Sequence, residues 1–443
     1  MTETSHPPVM RLLGRDELQA IGPAWDELAA NAVEENPFYS RPYFLAGLHH
    51  LEETGTRALC VFTGDGGASE RLIGFLPVQR SRFRYGLPWS VELGAQNLFQ
   101  PSGTPLIHRD HAARALDAIL SVRTAASGLA PHLLLPNIRL DGPVADLIRA
   151  RAGATGSRAE FIGSLSRPIL RRRDEAAEAY LARSVAPKRL RELRRTQRRL
   201  SEQGTVAFRH VTEPGDFRAA LEDFLRIEHS GWKGEAATAF LSQPETAAFA
   251  RAAFAGRIGD APLASADVLS LDGTAIAVSL NLQVGRTSFA IKCAYDESLR
   301  RFSPGLVLEL LVIEHLFASR FADEMDSCVT QAGHVIQDLW DDAVEVGTLA
   351  LSAPGGLSSV PLVGLDLASA ERNRLQLRSE AKARYLAARE TVRALRTLVQ
   401  GGEETRTAKA RKQLDATSRK AMMTFNTAQP NGEFAAMLAT MVV

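Results

Sequence analysis

Six residues between an apolar run and an apolar helix carry the clearest chemistry in this chain: Arg300-Arg301-Phe302-Ser303-Pro304-Gly305. Ser303 suits an N-cap, because its hydroxyl can accept from a free N–H of the first turn. Pro304 suits the first helical position, where no N–H is missed. It also drives Ser303 toward the extended region that an N-cap occupies. Gly305 lets a ligand come close to the backbone. Bare N–H groups at a helix start, with two arginines just upstream, make a site for a phosphate or pyrophosphate. The same residues fit a plain strand–loop–helix with a capped start, and spacing alone does not separate the two.

Two elements must hold this turn. Thr287 to Ala294 is a short apolar run without helical spacing, which predicts a buried or half-buried strand. After the turn, Leu306, Leu310, Ile313 and Phe317 fall on one helical face, with Val307 and Leu311 beside them, predicting a helix over 304–320. Two strands precede this unit, Ala264 to Leu271 and Thr274 to Val284, joined by a tight turn at Asp272-Gly273, a strong hairpin signal.

Composition narrows the class. The chain has 443 residues, enough for two or three domains, and 45% hydrophobic with 23% charged residues is the balance of a soluble globular protein. A net charge of +1 gives no global field toward nucleic acid. Cys60, Cys293 and Cys328 have no paired spacing, which argues against a disulfide framework or a zinc site and fits a reducing compartment. No metal constellation stands out, so no metal is expected. The opening residues lack a signal-peptide core, and no apolar run approaches the roughly 18 residues of a membrane span. The expected location is cytoplasmic.

Along the chain, residues 1–10 read as a loose tail, 15–31 and 40–52 as helices, and Ala58–Phe62 and Leu72–Gln79 as an antiparallel pair. Residues 81–105 are dense in Gly, Pro and aromatics (Phe83, Tyr85, Pro88, Trp89, Phe99), a loop that would line a pocket or pack the core. Helices follow at 111–126 and 141–153, with strands at 132–135 and 161–170, the last crossing into the next unit. Residues 171–200 are strongly basic: Arg171, Arg172 and Arg173 open the stretch, and seven Lys and Arg residues crowd one helix from Lys188 to Arg199. A solvated face and an anion-binding surface are both consistent with that charge, but no aromatics interleave to stack bases, which argues against nucleic acid as a partner. A second mixed unit begins after Gly204: a strand to Val211, a helix 216–230, a break at Gly231-Trp232-Lys233-Gly234 and a helix 243–255. The hairpin strands, the central strand and the central helix come next. Strands near 324–329 and 346–352, a linker over 355–364, and charged helices at 367–399 and 403–424 complete the chain. The first of these charged helices carries a heptad-like seam that would support a dimer or pack back on the body.

This order in the second unit (strand, two helices, three antiparallel strands, helix, strand, strand) is that of a GNAT acyltransferase domain. The segments HSGWKG at 229–234, AYDESLRRFSPGLVLE at 294–309 and that around Asp326 resemble the GNAT-like acetyltransferases of cellulose and exopolysaccharide biosynthesis. These are similar in architecture to the FemAB peptidyltransferases, which carry two GNAT-like halves. The resemblance implies a mixed α/β fold of two tandem GNAT-like domains: a degenerate one over 1–170, a catalytic one over 171–360 that keeps the pyrophosphate turn, and a helical extension over 361–443. The first domain would buttress the site and supply part of the acceptor groove.

The resemblance also implies the reaction: acetyl-CoA or another acyl-CoA as donor, and a small or lipid-linked sugar as acceptor, modified on an amine or hydroxyl. Arg300, Arg301, Phe302, Ser303, Pro304, Gly305 and Leu306 would hold the pyrophosphate, while Lys292, Cys293 and Ala294 lie along the pantetheine arm. Asp296, Glu297 and Asp326 are base candidates, and Tyr295 would protonate the thiolate. Trp232, Lys233 and His334 would meet the acceptor. Each of these has a plain structural role as its alternative, and many acyltransferases rely on positioning more than on one base. Where the family commonly shows a lysine and an aromatic, this chain has Val335 to Trp340 and keeps only Trp340. Two rival classes remain: a FemAB-like aminoacyl-tRNA-dependent peptidyltransferase, and a non-catalytic ligand sensor. Peripheral membrane association stays open.

Overall fold

The computed structural model describes residues 6–352, apart from residues 52–54, 65–69, 82–89, 122–128, 131 and 331–333. The expected linker and C-terminal helices lie outside the described residues, as do Phe83, Tyr85, Pro88 and Trp89.

The first half runs β1 (Val9–Leu13), α1 (Arg15–Ala20), α2 (Gly22–Ala30), α3 (Arg41–His50), β2 (Arg57–Phe62), β3 (Leu72–Ser81), β4 (Val91–Gly94), β5 (Leu106–Ile107), α4 (Ala112–Ser121), β6 (His132–Arg139), α5 (Pro143–Thr155) and β7 (Arg158–Arg171). Two connecting helices follow, α6 (Ala177–Ser184) and α7 (Pro187–Ser201). The second half runs β8 (Val206–Val211), α8 (Pro214–Ser230), α9 (Trp232–Glu235), α10 (Pro244–Phe254), a small hairpin β9 (Arg257–Ile258) and β10 (Ala261–Pro262), β11 (Ala264–Leu271), β12 (Thr274–Val284), β13 (Thr287–Tyr295), α11 (Pro304–Ser319), β14 (Glu324–Asp326) and β15 (Asp342–Ser352). Each half opens with a strand and helices, continues through antiparallel strands to a helix and ends in two strands; the first half adds β5 and sets α5 between its last two strands, and the second adds the β9–β10 hairpin.

Three expectations are corrected here. The opening is not a loose tail, since Val9–Leu13 pairs antiparallel with β2 from Val9↔Phe62 to Leu13↔Ala58. Five residues on a sheet edge carry too short a pattern to read in sequence. The helix expected over 15–31 breaks at Ile21, because Pro23 lacks the N–H that a continuous helix requires. Arg171, Arg172 and Arg173 are not a free basic face: they pair with Glu324, Asp323 and Asp342 at 2.9, 2.5 and 2.7 Å.

One mixed sheet joins both halves in the order β1-β2-β3-β4-β6-β15-β7-β14-β13-β12-β11-β8. The final strands are exchanged. β7, the last strand of the first half, pairs with β14, while β15, the last strand of the second, pairs with β6 and with β7. Leu349 and Leu351 of β15 therefore lie in the first half's core with Ile73, Leu116 and Ile148. Leu170 of β7 lies in the second half's core with Leu310 and Ile313 of α11. In the second half, α8 and α10 cover one face of the sheet and α11 covers the other.

Because Leu349 fills a core to which its own half contributes little else, Leu349→Ala is expected to destabilise the protein by about 2–5 kcal/mol. The exchange predicts one shared loss. Urea unfolding followed by a first-half probe (Trp25) and a second-half probe (Trp340) should shift together, and a shift confined to one probe would show that the halves unfold independently.

Candidate active site

β13 pairs with two different neighbours along its length. On one side it follows β12 from Val284↔Thr287 to Ala277↔Tyr295. On the other it meets β14 in parallel only over Thr287, Ser288 and Phe289. From Ala290 onward that second edge is open. The Asp296 N–H donates to Ile276 O at 2.8 Å. Antiparallel ladders alternate, so Ala294 and Lys292 also bond inward to β12, and the backbone groups of Cys293 and Tyr295 face the open edge. A register shift between Leu280 and Asn281 leaves Ile291 without a ladder partner, a bulge midway along this edge.

The open edge leads to the turn. Asp296 starts a short 3-10 turn, Glu297–Phe302, by accepting from Ser298 N at 2.9 Å. Ser303 then departs from expectation. It is left-handed at φ 45, ψ 54, and its side chain makes no cap bond. The physical reason is continuity: the Ser303 N–H closes the 3-10 turn on Arg300 O, and its carbonyl accepts from both Leu306 and Val307. One left-handed residue reorients the chain between two helical axes that an extended residue would separate. Such strain in a non-glycine residue costs on the order of 1–3 kcal/mol and collects at ligand clamps. The bare N–H groups are fewer than expected. Leu306 and Val307 are satisfied, and Pro304 has none. The Gly305 N–H has no acceptor among the described residues. A Cβ at Gly305 would stand 3.3 Å from the Tyr295 ring and 3.9 Å from Cys293 Sγ, so the turn closes tightly on the strand.

The expected site residues divide. Tyr295, Cys293, Gly305, Arg300 and Arg301 come together at the turn. Arg301 lies 4.6 Å from the Phe302 ring centroid, and Phe302 itself is buried. Lys292 and Ala294 turn to the opposite face, where Lys292 Nζ meets Glu228 at 2.7 Å and Phe240 at 4.1 Å. Burial holds the Lys292 ammonium below its usual range, against the pull of Glu228. Glu297 is occupied by Trp232 N at 2.8 Å, which anchors the α9 segment, while the Trp232 ring stands exposed. Lys233 reaches the open edge and donates to Cys293 O at 3.2 Å. Burial and nearby Lys233 both lower His334. Solvent touches Cys293, yet crowding pushes its thiol up to about 12, so it remains protonated near neutrality.

Asp326 stands elsewhere. It lies opposite Phe289, six residues before Tyr295, or about 20 Å along the strand. It is buried, accepts from Cys328 N at 2.7 Å and lies 3.5 Å from Arg167. Asp326 and Phe289 line a cleft of about 730 Å³ between the halves, shared with Glu34, Glu35, Thr104, Asn137 and Arg139.

Two carboxyl groups escaped the sequence reading. Burial raises Glu34 to about 7, opposed by its bond from Val144 N. Only the fold brings it to the cleft. Burial likewise raises Glu309, on α11, to about 7, while the Trp340 indole donates to it at 2.8 Å. Glu309 did leave a signal: it is a lone acid one turn after Gly305 in an otherwise apolar stretch. Among the described residues, no group of three or more His, Cys, Asp or Glu could hold a metal, and no helix is long and apolar enough to cross a membrane.

Residues 187–332 match the family model described as Acetyltransferase (GNAT) domain. The matched segment, from α7 through the turn to β14, is thus an acyltransferase domain of the GNAT class. Among solved structures, FemX is 10% identical, with 81% of this chain and 100% of that chain covered at a TM-score of 0.48. The C-terminal domain of a putative lysylphosphatidylglycerol synthetase from Agrobacterium fabrum is 12% identical, with 80% and 97% covered at 0.48. A tandem GNAT protein from the clavulanic acid biosynthesis pathway is 15% identical, with 77% and 98% covered at 0.35. No curated protein matches the sequence.

Glu309 keeps its proton to about pH 7 when folded, against 4.5 for the free group. Over that window the folded chain binds the extra proton, so stability falls as pH rises. Glu34 adds a parallel fall. Glu309→Gln keeps an acceptor for Trp340 and is expected to flatten part of the decline in urea midpoints between pH 4.5 and 7. An unaltered slope would mean the carboxyl is ionised in place.

Proposed function

We propose that this chain transfers an acyl group from acyl-CoA, with acetyl-CoA as the first candidate, to an amine or hydroxyl of a saccharide or lipid-linked sugar precursor of the exopolysaccharide or cell-envelope type. The observation that carries the donor half is the open edge of β13: an anion turn at its Tyr295 end, unpaired backbone along it, and a cleft at its Phe289 end. The unbonded Gly305 N–H and the arginines at 300 and 301 suit a pyrophosphate. The backbone groups of Tyr295 and Cys293 suit the two amides of a pantetheine arm, which would extend the sheet by one strand.

The donor supplies a thioester carbonyl and a thiolate leaving group. Ile291, outside the ladder, lies where backbone polarity would meet charge growing on the carbonyl oxygen. Tyr295 packs at the phosphate end, so we assign it to closing the turn, with Asp296 and Glu297 shaping the loop. Trp232, Lys233 and His334 flank the edge and hold its outer wall. The acceptor would enter the cleft between the halves, where Thr104, Asn137 and Ser102 offer hydrogen bonds suited to a hydroxyl-rich ring. Glu34, raised to about 7, would take the proton from the attacking group, with Asp326 and Arg167 as a fixed ion pair beside it.

Gly305→Glu places a carboxylate in the anion turn and presses Tyr295; acetyl-CoA binding by calorimetry is expected to vanish, and unchanged affinity would remove the proposed donor site. Thiol release from acetyl-CoA against a panel of amino sugars tests the acceptor, with Gly305→Glu as the blank. For the active acceptor, kcat/KM should climb as pH rises through about 7, where Glu34 loses its proton. Glu34→Gln should lower it by roughly 10²–10⁴-fold and flatten that climb. A climb surviving in Glu34→Gln would assign the base elsewhere.

A further inference from the structure

α7 carries more positive charge than its surroundings neutralise. Arg189 leans on Glu192 at 3.4 Å and Arg194 on Glu314 at 2.5 Å. Arg191, Arg195, Arg198 and Arg199 have no carboxylate within ion-pair distance among the described residues. They stand three and four positions apart, where like charges on a helix destabilise it. An ordinary solvated face would spread or pair such charges.

Their position is the second observation. α7 packs against the 3-10 turn that precedes Gly305, and the Arg199 guanidinium lies 5.7 Å from the centroid of the Phe302 ring. Arg301 lies 4.6 Å from that same centroid. Two unpaired guanidiniums from separate elements thus meet over one buried side chain, beside the unbonded Gly305 N–H. One turn back on α7, Arg195 joins Arg191, Arg194 and Arg198 along a groove of about 590 Å³ that Leu181, Leu190 and Glu178 also line. That volume falls within the range of small-molecule sites. Apolar side chains beside guanidinium planes suit the face of a purine.

A pyrophosphate alone does not account for this charge. Arg300, Arg301 and the Gly305 N–H already suffice for it, which leaves Arg199 and Arg195 without a charge to balance them. We propose that Arg199 and Arg195 bind the phosphomonoester on the ribose of the donor, its 3′-phosphate, so that the chain selects a 3′-phosphorylated nucleotide carrier over the same carrier without that group. This rests on the acyl-CoA reading above. The α7 arginines are then a specificity device for the donor, and the basic stretch seen in the sequence belongs to the acyl-transfer site.

The test is calorimetric titration of the full chain with CoA and with dephospho-CoA, which differ only in that phosphate. Wild type is expected to bind CoA about tenfold tighter, the worth of a charge-assisted pair. Arg195→Gln with Arg199→Gln should bring CoA down to the dephospho-CoA value, while Arg199→Lys keeps most of the difference. Dephospho-CoA binding by the double variant also confirms that it is folded. Equal affinities in wild type, or a tenfold ratio that survives the double substitution, would overturn the inference while leaving the donor site standing. Binding of neither nucleotide would remove both. Unacylated tRNA provides the last arm: if it binds wild type with a steep salt dependence, and loses that binding in the double variant while CoA and dephospho-CoA stay equal, the arginines serve a nucleic-acid backbone and the proposal fails.

Discussion

The parting of β13 from β14 after Phe289 is the constraint on which the rest of the site depends. A strand inside a sheet normally has both edges satisfied, and unpaired backbone groups away from water are costly. Here one edge of Ala290–Tyr295 has no strand beside it among the described residues. Lys233 caps one of those groups, the Cys293 carbonyl. The tight approach at Gly305 and the left-handed Ser303 both follow from the need to bring the start of α11 against the open end of that edge.

The exchange of final strands explains why the two halves act as one body. β15 completes the first half's core and β7 completes the second's. The cleft that receives Phe289 and Asp326 from one half and Glu34 and Asn137 from the other forms at that crossing. The first half thus walls the space at the Phe289 end of β13.

Carboxyl groups around the site are handled in two ways. Glu228 lies between Lys292 and Lys233, and Asp267 between His210 and Asn281, each at hydrogen-bonding or ion-pair distance. Such partnered acids stiffen their surroundings. Glu34 and Glu309 form no ion pair among the described residues, and burial raises both to about 7 against the hydrogen bonds from Val144 N and the Trp340 indole. Groups of that kind are the ones a reaction can use, since their charge changes near neutral pH.

The sequence by itself determined what depends on neighbours in the chain: the Asp272-Gly273 hairpin, the apolar run of β13, the proline-started helix and their order, and with these the fold class. Local spacing encodes such features, because backbone preference and hydrophobic period act over a few residues. Tertiary structure alone decided the roles. Asp296 and Glu297, the nearest acids to the turn, are spent on holding loops, whereas Glu34 comes from some 250 residues away through the crossing of the sheet. Phe302, expected in the pyrophosphate turn, is buried with Arg199 of α7 5.7 Å from its ring centroid, a contact between distant segments. Which carboxyl is raised by burial, and which arginine stands without a carboxylate, depends on contacts between distant segments, and no window of sequence contains either.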